Sequence, residues 1–346
     1  VPLTHAGVCL SARTMCASCR LDADDRCLNV LPLHHSHGLM SALMSSLVAG
    51  ASVVCTAGFE AGAFFDWVRE LRPTWYTAVP TVHEAVLRAA RSLDGSRRDV
   101  PRLRLVRSAS SPMPPALAEN LERLFDAPVI AAYGMTECAS QIACNPLPPG
   151  VRKPGSVGVP TGCDVAVMGA DGRLLARGTT GEIVVRGPSV TRGYDNDPEA
   201  NRTAFVDGWL RTGDLGLVDA DGYVFLTGRV KEIINRGGQS VIPREVDDAL
   251  LEHPAVREAA TFGVPHPTLG EDAAAAVVLR EDAQVTERAL RVFLSLRLAD
   301  HKVPSQVLIV EALPGPPGKI RRLGLAAELA ARLRPPVEAP RDELEA

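Results

Sequence analysis

Residues 103–137 read LRLVRSASSPMPPALAENLERLFDAPVIAAYGMTE, and this stretch decides the fold. Leu103 to Ser108 is a short apolar run of strand length, and Pro114 opens a helical pattern that lasts to Phe125. Val129 to Ala132 is a second apolar, strand-like run. Strand, helix and strand in this order predict a parallel α/β unit. The pattern repeats upstream. Helices are predicted over residues 6–20, 39–48, 64–71 and from Thr81 to Arg91, with Thr81 as the cap. Strands are predicted over residues 27–33, 51–55 and 75–79.

Downstream the texture changes. Pro146 to Gly162 is rich in Pro and Gly, and short β-rich runs follow at 165–168, 182–186, 216–219 and 223–226. Asp-Gly turns separate them, as expected of a small β-barrel or sandwich packed on the α/β core. From Lys231 on, two predicted helices (243–251, 287–298) and two predicted strands (255–264, 273–279) make a compact α+β unit. After Leu323 the chain is rich in Ala, Arg and Pro, and it reads as a helix followed by a linker. The expected division is an α/β core at 1–150, a β-rich subdomain at 151–230, a small α+β domain at 231–325 and a tail at 326–346.

With 346 residues, 46% of them hydrophobic, the chain can bury more than one core. Its net charge of -4 leaves no basic field for nucleic acid. Apolar runs such as Leu39 to Val54 are broken by Ser and Gly, so no membrane span is expected. There is no charged n-region of a signal peptide, and the expected location is the cytoplasm. The start at Val1 rather than Met fits a fragment and leaves an upstream targeting segment open. Eight scattered cysteines fit reduced, mostly buried thiols better than a disulfide framework. Cys16-x-x-Cys19 also admits a metal or redox reading, but it lacks a second pair.

Several segments carry candidate chemistry. Asp214 in Trp209-Leu-Arg-Thr-Gly-Asp214-Leu-Gly216 sits at a predicted glycine turn, where a carboxylate accepts bonds from a vicinal diol. Arg229 in Gly228-Arg229-Val-Lys231-Glu232 offers a fork for the same sugar or for a phosphate. Tyr133-Gly134-Met135-Thr136-Glu137 is placed in a strand-end loop, with an aromatic face, a hydroxyl and a carboxylate for Mg²⁺. An ordinary strand-to-helix turn with a capping Thr is the plainer reading. Arg107-Ser-Ala-Ser-Ser111-Pro112-Met-Pro ends another strand; it allows a flat base to approach closely or simply caps the next helix. In His34-His35-Ser36-His37-Gly38 one histidine facing a reacting carboxyl or phosphate is favoured over a metal site, and structural hydrogen bonding accounts for the rest. The Gly237-Gly238 pair after Lys231 suits a hinge or a static linker. Lys319 in Pro314-Gly-Pro-Pro-Gly318-Lys319 meets a developing charge or lies on a solvated loop.

In this order, these strings resemble the adenylate-forming superfamily of acyl-CoA synthetases, luciferases and peptide-synthetase adenylation domains, over nearly the whole chain. Leu31-Pro-Leu-His-His-Ser-His-Gly-Leu39, Trp75-Tyr-Thr-Ala-Val-Pro-Thr81, residues 145–158 and Asn235-Arg-Gly-Gly238 are most similar to the branch holding oxalate–CoA ligases. The resemblance implies a parallel-sheet core, a small β-barrel subdomain and a mobile α+β C-terminal domain. It also implies ATP, Mg²⁺ and CoA, or a carrier's phosphopantetheine arm, acting on a small carboxylic acid such as oxalate.

Carried over residue by residue, Ser110, Ser111, Pro112, Tyr133, Gly134 and Met135 line the adenine pocket. Thr136 touches the α-phosphate, Glu137 binds Mg²⁺, and Asp214 holds the ribose with Arg229 beside it. His35 matches the histidine beside the acyl carboxylate, Lys319 the adenylation lysine, Lys231 the hinge, and Gly237 and Gly238 the pantetheine tunnel. The chain departs from the pattern in three places. The Gly-rich phosphate loop expected just before Val1 is absent, the loop at Lys319 is short and Pro-rich, and Ala109 replaces a Gly. Poor adenylation by this chain alone, or a non-catalytic AMP-binding module, is expected on the first ground. Ala339–Ala346 resembles the segment that leads into a carrier protein, or it is a plain tail.

Overall fold

The computed structural model describes residues 1–93, 100–314 and 322–334, which group into two compact units. The first takes in Val1–Thr212 and Gly216–Leu226; the second takes in Gly213–Leu215 and the chain from Thr227 on.

The first unit opens with α1 (His5–Cys19). The Thr4 hydroxyl starts it by accepting from the Gly7 amide at 3.0 Å, and Arg20 ends it in the left-handed region. Next come β1 (Arg26–Asn29), a π-helical stretch (His37–Met44) that continues as α2 (Ser45–Val48), β2 (Ser52–Cys55), α3 (Phe64–Leu71), β3 (Trp75–Ala78), α4 (Pro80–Arg91), β4 (Leu105–Ser108), α5 (Pro115–Phe125) and β5 (Val129–Met135). The five strands pair in parallel in the order β2-β1-β3-β4-β5, with Trp75↔Leu105 through Ala78↔Ser108 in register. Parallel neighbours need helical crossovers, which bury both faces, and every residue of β3 and β4 is buried. The core beneath them is aromatic: the Phe64 ring lies 5.2 Å from Tyr76 and 5.4 Å from Phe65. Such edge contacts add about 0.5–1.5 kcal/mol each beyond area burial.

Three details differ from the sequence expectation. The helix predicted from Leu39 begins at His37, with π geometry. α4 begins at Pro80 with Val79 at its cap, ahead of the expected Thr81, because Pro at a first helical position has no N–H left unsatisfied. β5 runs to Met135 instead of stopping near Ala132. It is held there by antiparallel pairing with β6 (Ser140–Cys144), from Ala132↔Cys144 to Met135↔Ser140. β7 (Val159–Pro160) completes this sheet on β6.

The β-rich segment adds β8 (Asp164–Met168), β9 (Gly181–Arg186), α6 (Pro198–Ala204), β10 (Phe205–Val206), β11 (Trp209–Val218) and β12 (Val224–Arg229). They form a five-stranded sheet in the order β10-β11-β9-β8, with β12 also on β11. Tyr133 and Ile142 of the first sheet share one core with Val167, Ile183, Leu210 and Val224 of the second.

The second unit contains β13 (Ile234–Arg236), β14 (Gln239–Val241), α7 (Pro243–Leu251), β15 (Val256–His266), β16 (Gly270–Leu279), α8 (Glu287–Ser295), β17 (Gln306–Ile309) and α9 (Leu325–Glu328). Its sheet runs β14-β13-β16-β15, with β17 parallel on β16. Val246 and Leu250 of α7 and Leu290 and Leu294 of α8 close its core against Val277. Among the described residues no helix is long and apolar enough to cross a membrane, and all eight cysteines are free. Cys16 donates to the Leu21 carbonyl at 3.5 Å, burial pushes the Cys19 thiol up to about 12, and no metal-binding cluster forms among the described residues.

Candidate active site

In the first unit, β4 and β5 lie side by side, with Ser108 opposite Ala131, so their C-terminal ends deliver two chemically loaded segments to one edge of the sheet. Ligands of open α/β sheets sit in crevices at that edge. The first segment, Ser110-Ser111-Pro112, leaves β4 through Ser110, a non-glycine residue at φ +73°. Such a conformation needs support from its surroundings. Two contacts here involve Ser110: the Ser111 hydroxyl donates to its carbonyl at 2.8 Å, and its own hydroxyl lies 3.0 Å from His37 Nδ1.

His37 is buried, and its Nε2 lies 2.7 Å from the Thr77 hydroxyl and 3.3 Å from Arg107 Nη1. Burial, reinforced by the Arg107 charge, holds this imidazole well below its usual range, so it is neutral. A guanidinium can only donate, so Nε2 accepts and the ring proton sits on Nδ1, donating to Ser110. The Arg107 fork also donates from Nη2 to Gln141 Oε1 at 3.0 Å. The Gln141 amide is oriented by its own donations to Ser18 and Thr161, both at 3.1 Å. His35, the histidine singled out from sequence, is exposed, and it is His37, two residues on, that is buried against Ser110.

The second segment differs in shape from its sequence reading. Tyr133, Gly134 and Met135 belong to β5, not to a loop, and Thr136–Cys138 is a single 3₁₀ turn. A bulge falls between Tyr133 and Gly134, and a Cβ on Gly134 would sit 1.4 Å from the Ser140 carbonyl oxygen, so no other residue fits there. Tyr133 is buried, while Thr136 is exposed on the turn. The Glu137 carboxylate accepts from the Tyr194 hydroxyl at 3.0 Å, and its carbonyl accepts from the Thr191 amide at 2.6 Å. Burial, with the Glu137 charge adding to it, pushes the Tyr194 phenol up to about 12. No group of three or more metal-binding side chains forms among the described residues, and a lone carboxylate suits Mg²⁺, which keeps most of its ligands as waters and phosphate oxygens. Glu137 is therefore a fitting single protein ligand.

In the second unit, Asp214 lies within the long strand β11 instead of at a turn. Its side chain is 12% exposed, and Oδ1 pairs with Arg229 Nε at 3.0 Å, while Arg229 itself is 66% exposed at the end of β12. Lys231 is exposed on the 3₁₀ turn Val230–Glu232. Gly237 and Gly238 take φ of +58° and +85° and join β13 to β14 as a tight hairpin, with Arg236 opposite Gln239. Lys319 lies outside the described residues. Arg322, three positions on, is half-buried between Glu232, at 3.0 Å, and Asp247.

Sequence reading passed over Thr77, Gln141 and Tyr194. Thr77 and Gln141 sit inside apolar strands with no local signal, and Tyr194 reaches Glu137 across 57 residues of chain.

A strand-edge site of this kind, followed by a small α+β unit, defines a class. Residues 1–195 match the model of the AMP-binding enzyme family, and residues 245–315 that of the AMP-binding enzyme C-terminal domain; the chain belongs to this family. The oxalate–CoA ligase of Arabidopsis thaliana is 44% identical over 326 residues, which is 93% of this chain and 63% of that protein. The sulfoacetate–CoA ligase of Cupriavidus necator is 42% identical over 332 residues, 93% of this chain and 64% of its own length. ATP-bound MatB from Rhodopseudomonas palustris superposes with a TM-score of 0.86 at 32% identity, over 94% of this chain and 64% of that one. The chain thus spans less than two thirds of the length of the relatives it matches.

Proposed function

We propose that the protein carrying this chain is an ATP-dependent ligase that joins a small carboxylic acid to CoA. A carboxylate oxygen attacks the α-phosphorus of ATP, the α–β anhydride bond breaks, and pyrophosphate leaves. The CoA sulfur then attacks the acyl carbonyl, and AMP departs with the bond electrons. The observation that carries this reading is the pairing of β4 with β5, which sets the Ser110–Pro112 loop beside the Tyr133–Glu137 segment at one strand edge.

In this reading, Ser110, Ser111, Pro112, Tyr133, Gly134 and Met135 form the adenine wall, and Thr136 meets the α-phosphate. Asp214, paired with Arg229, is the acceptor for the ribose hydroxyls. Tyr194 holds one oxygen of Glu137, which leaves the other to face a magnesium ion. Magnesium supplies charge neutralisation on the phosphates when bound. His35 stands at the acyl carboxylate and His37 fixes the loop through Ser110. Lys319 provides the positive charge for adenylation, Lys231 the pivot, and Gly237 with Gly238 the pantetheine passage.

CoA is preferred over a carrier protein as acceptor because the relatives are named as CoA ligases. The test is acid-dependent ATP–pyrophosphate exchange by the full-length protein, with thioester detected by mass. Glu137→Gln is expected to lower kcat on the order of 100-fold, the scale of losing one electrostatic stabiliser. Absence of exchange with every short carboxylic acid sinks the proposal.

A further inference from the structure

Arg107 is 2% exposed, at the third position of β4, and every partner it has is neutral. It donates to Thr77 Oγ1 and His37 Nε2 at 3.3 Å and to Gln141 Oε1 at 3.0 Å. Its Nε, also buried, has no hydrogen-bond partner, and no carboxylate among the described residues pairs with it. The nearby Cys144 does not supply an anion, because burial raises its thiol even though Arg107 pulls the other way. A buried guanidinium without a counter-charge is costly, and folded proteins keep such charges paired.

The position of this charge is informative. The neutral His37 ring bridges it to Ser110, so it lies one imidazole away from the loop assigned to the nucleotide. We propose that Arg107 anchors a second anionic group of the acid substrate, making short dianionic acids the substrate class. This rests on the acid–CoA ligase reading above. The fork donates to Thr77, His37 and Gln141 and also meets the Cys144 thiol, and its Nε–H is left without a partner. The two 3.3 Å bonds are the longest in the network and the ones that yield first to a charged acceptor. In this scheme the second carboxylate or sulfonate of a short acid pairs with the guanidinium, whereas a long-chain acid offers it only alkyl carbon. Arg107 is a specificity-determining residue in this scheme, and Gln141 positions it.

The experiment compares oxalate, malonate and sulfoacetate with acetate and propionate in pyrophosphate exchange by the full-length protein, wild type and Arg107→Gln. The expected result is a wild-type preference for dianions. The variant's ratio of dianion to monoanion kcat/KM falls on the order of 100-fold, mostly through KM, as for one partner lost from a buried charge pair. A wild type indifferent to the second charge, or a variant that loses both groups of acids in equal proportion, overturns the anchor and leaves the ligase reading standing. Exchange with no acid at all overturns the ligase reading, and binding then decides the anchor. Oxalate is expected to raise the Tm of the wild type and not that of Arg107→Gln; equal shifts in both overturn the anchor.

Discussion

Arg107 is buried in one unit and Arg322 half-buried in the other, and their surroundings are opposite. Arg322 is 15% exposed and lies between Glu232 and Asp247. Burial works against its charge, but the two carboxylates outweigh it and raise its pKa further. Burial likewise pushes the Asp247 carboxyl up to about 6, against the pull of Arg322. Arg107 has hydroxyl, imidazole and amide partners and no acid. A cation whose counter-charges are built into the chain is a strut. A cation given only neutral partners is a vacancy for someone else's anion.

The largest effect that tests this contrast is expected from Arg322→Met. It strands two carboxylates, and breaking a buried pair in this way costs about 3–5 kcal/mol. Hydrogen exchange across β15 and β16 reads the loss, and a change below about 1 kcal/mol would dissolve the distinction.

Acid gives the next effect, and it acts on the first unit. His83 is fully buried between Tyr76, whose hydroxyl lies 2.9 Å from Nδ1, and an Nε2 without a partner. Burial lowers its pKa to about 3, and His37 is lowered as well. A histidine depressed by folding contributes stability that is fully present above its unfolded pKa of 6.5, and that stability drains as pH falls toward about 3. Each such group removes up to about 1.4 kcal/mol per pH unit in that window. Melting between pH 7 and 4.5 is expected to show the slope, and His83→Gln to flatten it; a variant as steep as the wild type contradicts the assignment.

The smallest effect is expected from Arg107→Gln without ligand. No carboxylate is stranded and Gln141 keeps a donor, so stability changes by less than about 1 kcal/mol in either direction. Exchange across β3 and β4 measures it, and a loss as large as that of Arg322→Met would make Arg107 a strut too.

Much of the fold was legible because it is local. Apolar runs of strand length alternating with helical periodicity, as at Leu105–Ser108 and Pro115–Phe125, carry their own signal. The features that escaped depend on distant partners. β5 continues through Tyr133 only because β6 pairs with it, and Asp214 sits in a strand because β11 is continued by its neighbours. The candidate site divides in the same way. Ser110, Tyr133, Glu137, Asp214 and Arg229 stand out as residue types in short motifs. That His37 is buried against Ser110 while His35 is exposed is set by packing, and the neighbouring letters are silent on it. Tyr194 and Gln141 act across long stretches of chain and look ordinary in sequence.

The free thiols have a practical consequence. All eight lie at or before Cys163, hence in the first unit, and only Cys9 and Cys55 are exposed. A brief pulse of alkylating reagent should mark those two at once and reach Cys19, Cys27, Cys138 and Cys144 only when that unit opens. The second unit has no cysteine to react, so the mass added over time is a clock that counts the openings of one half of the chain and ignores the other.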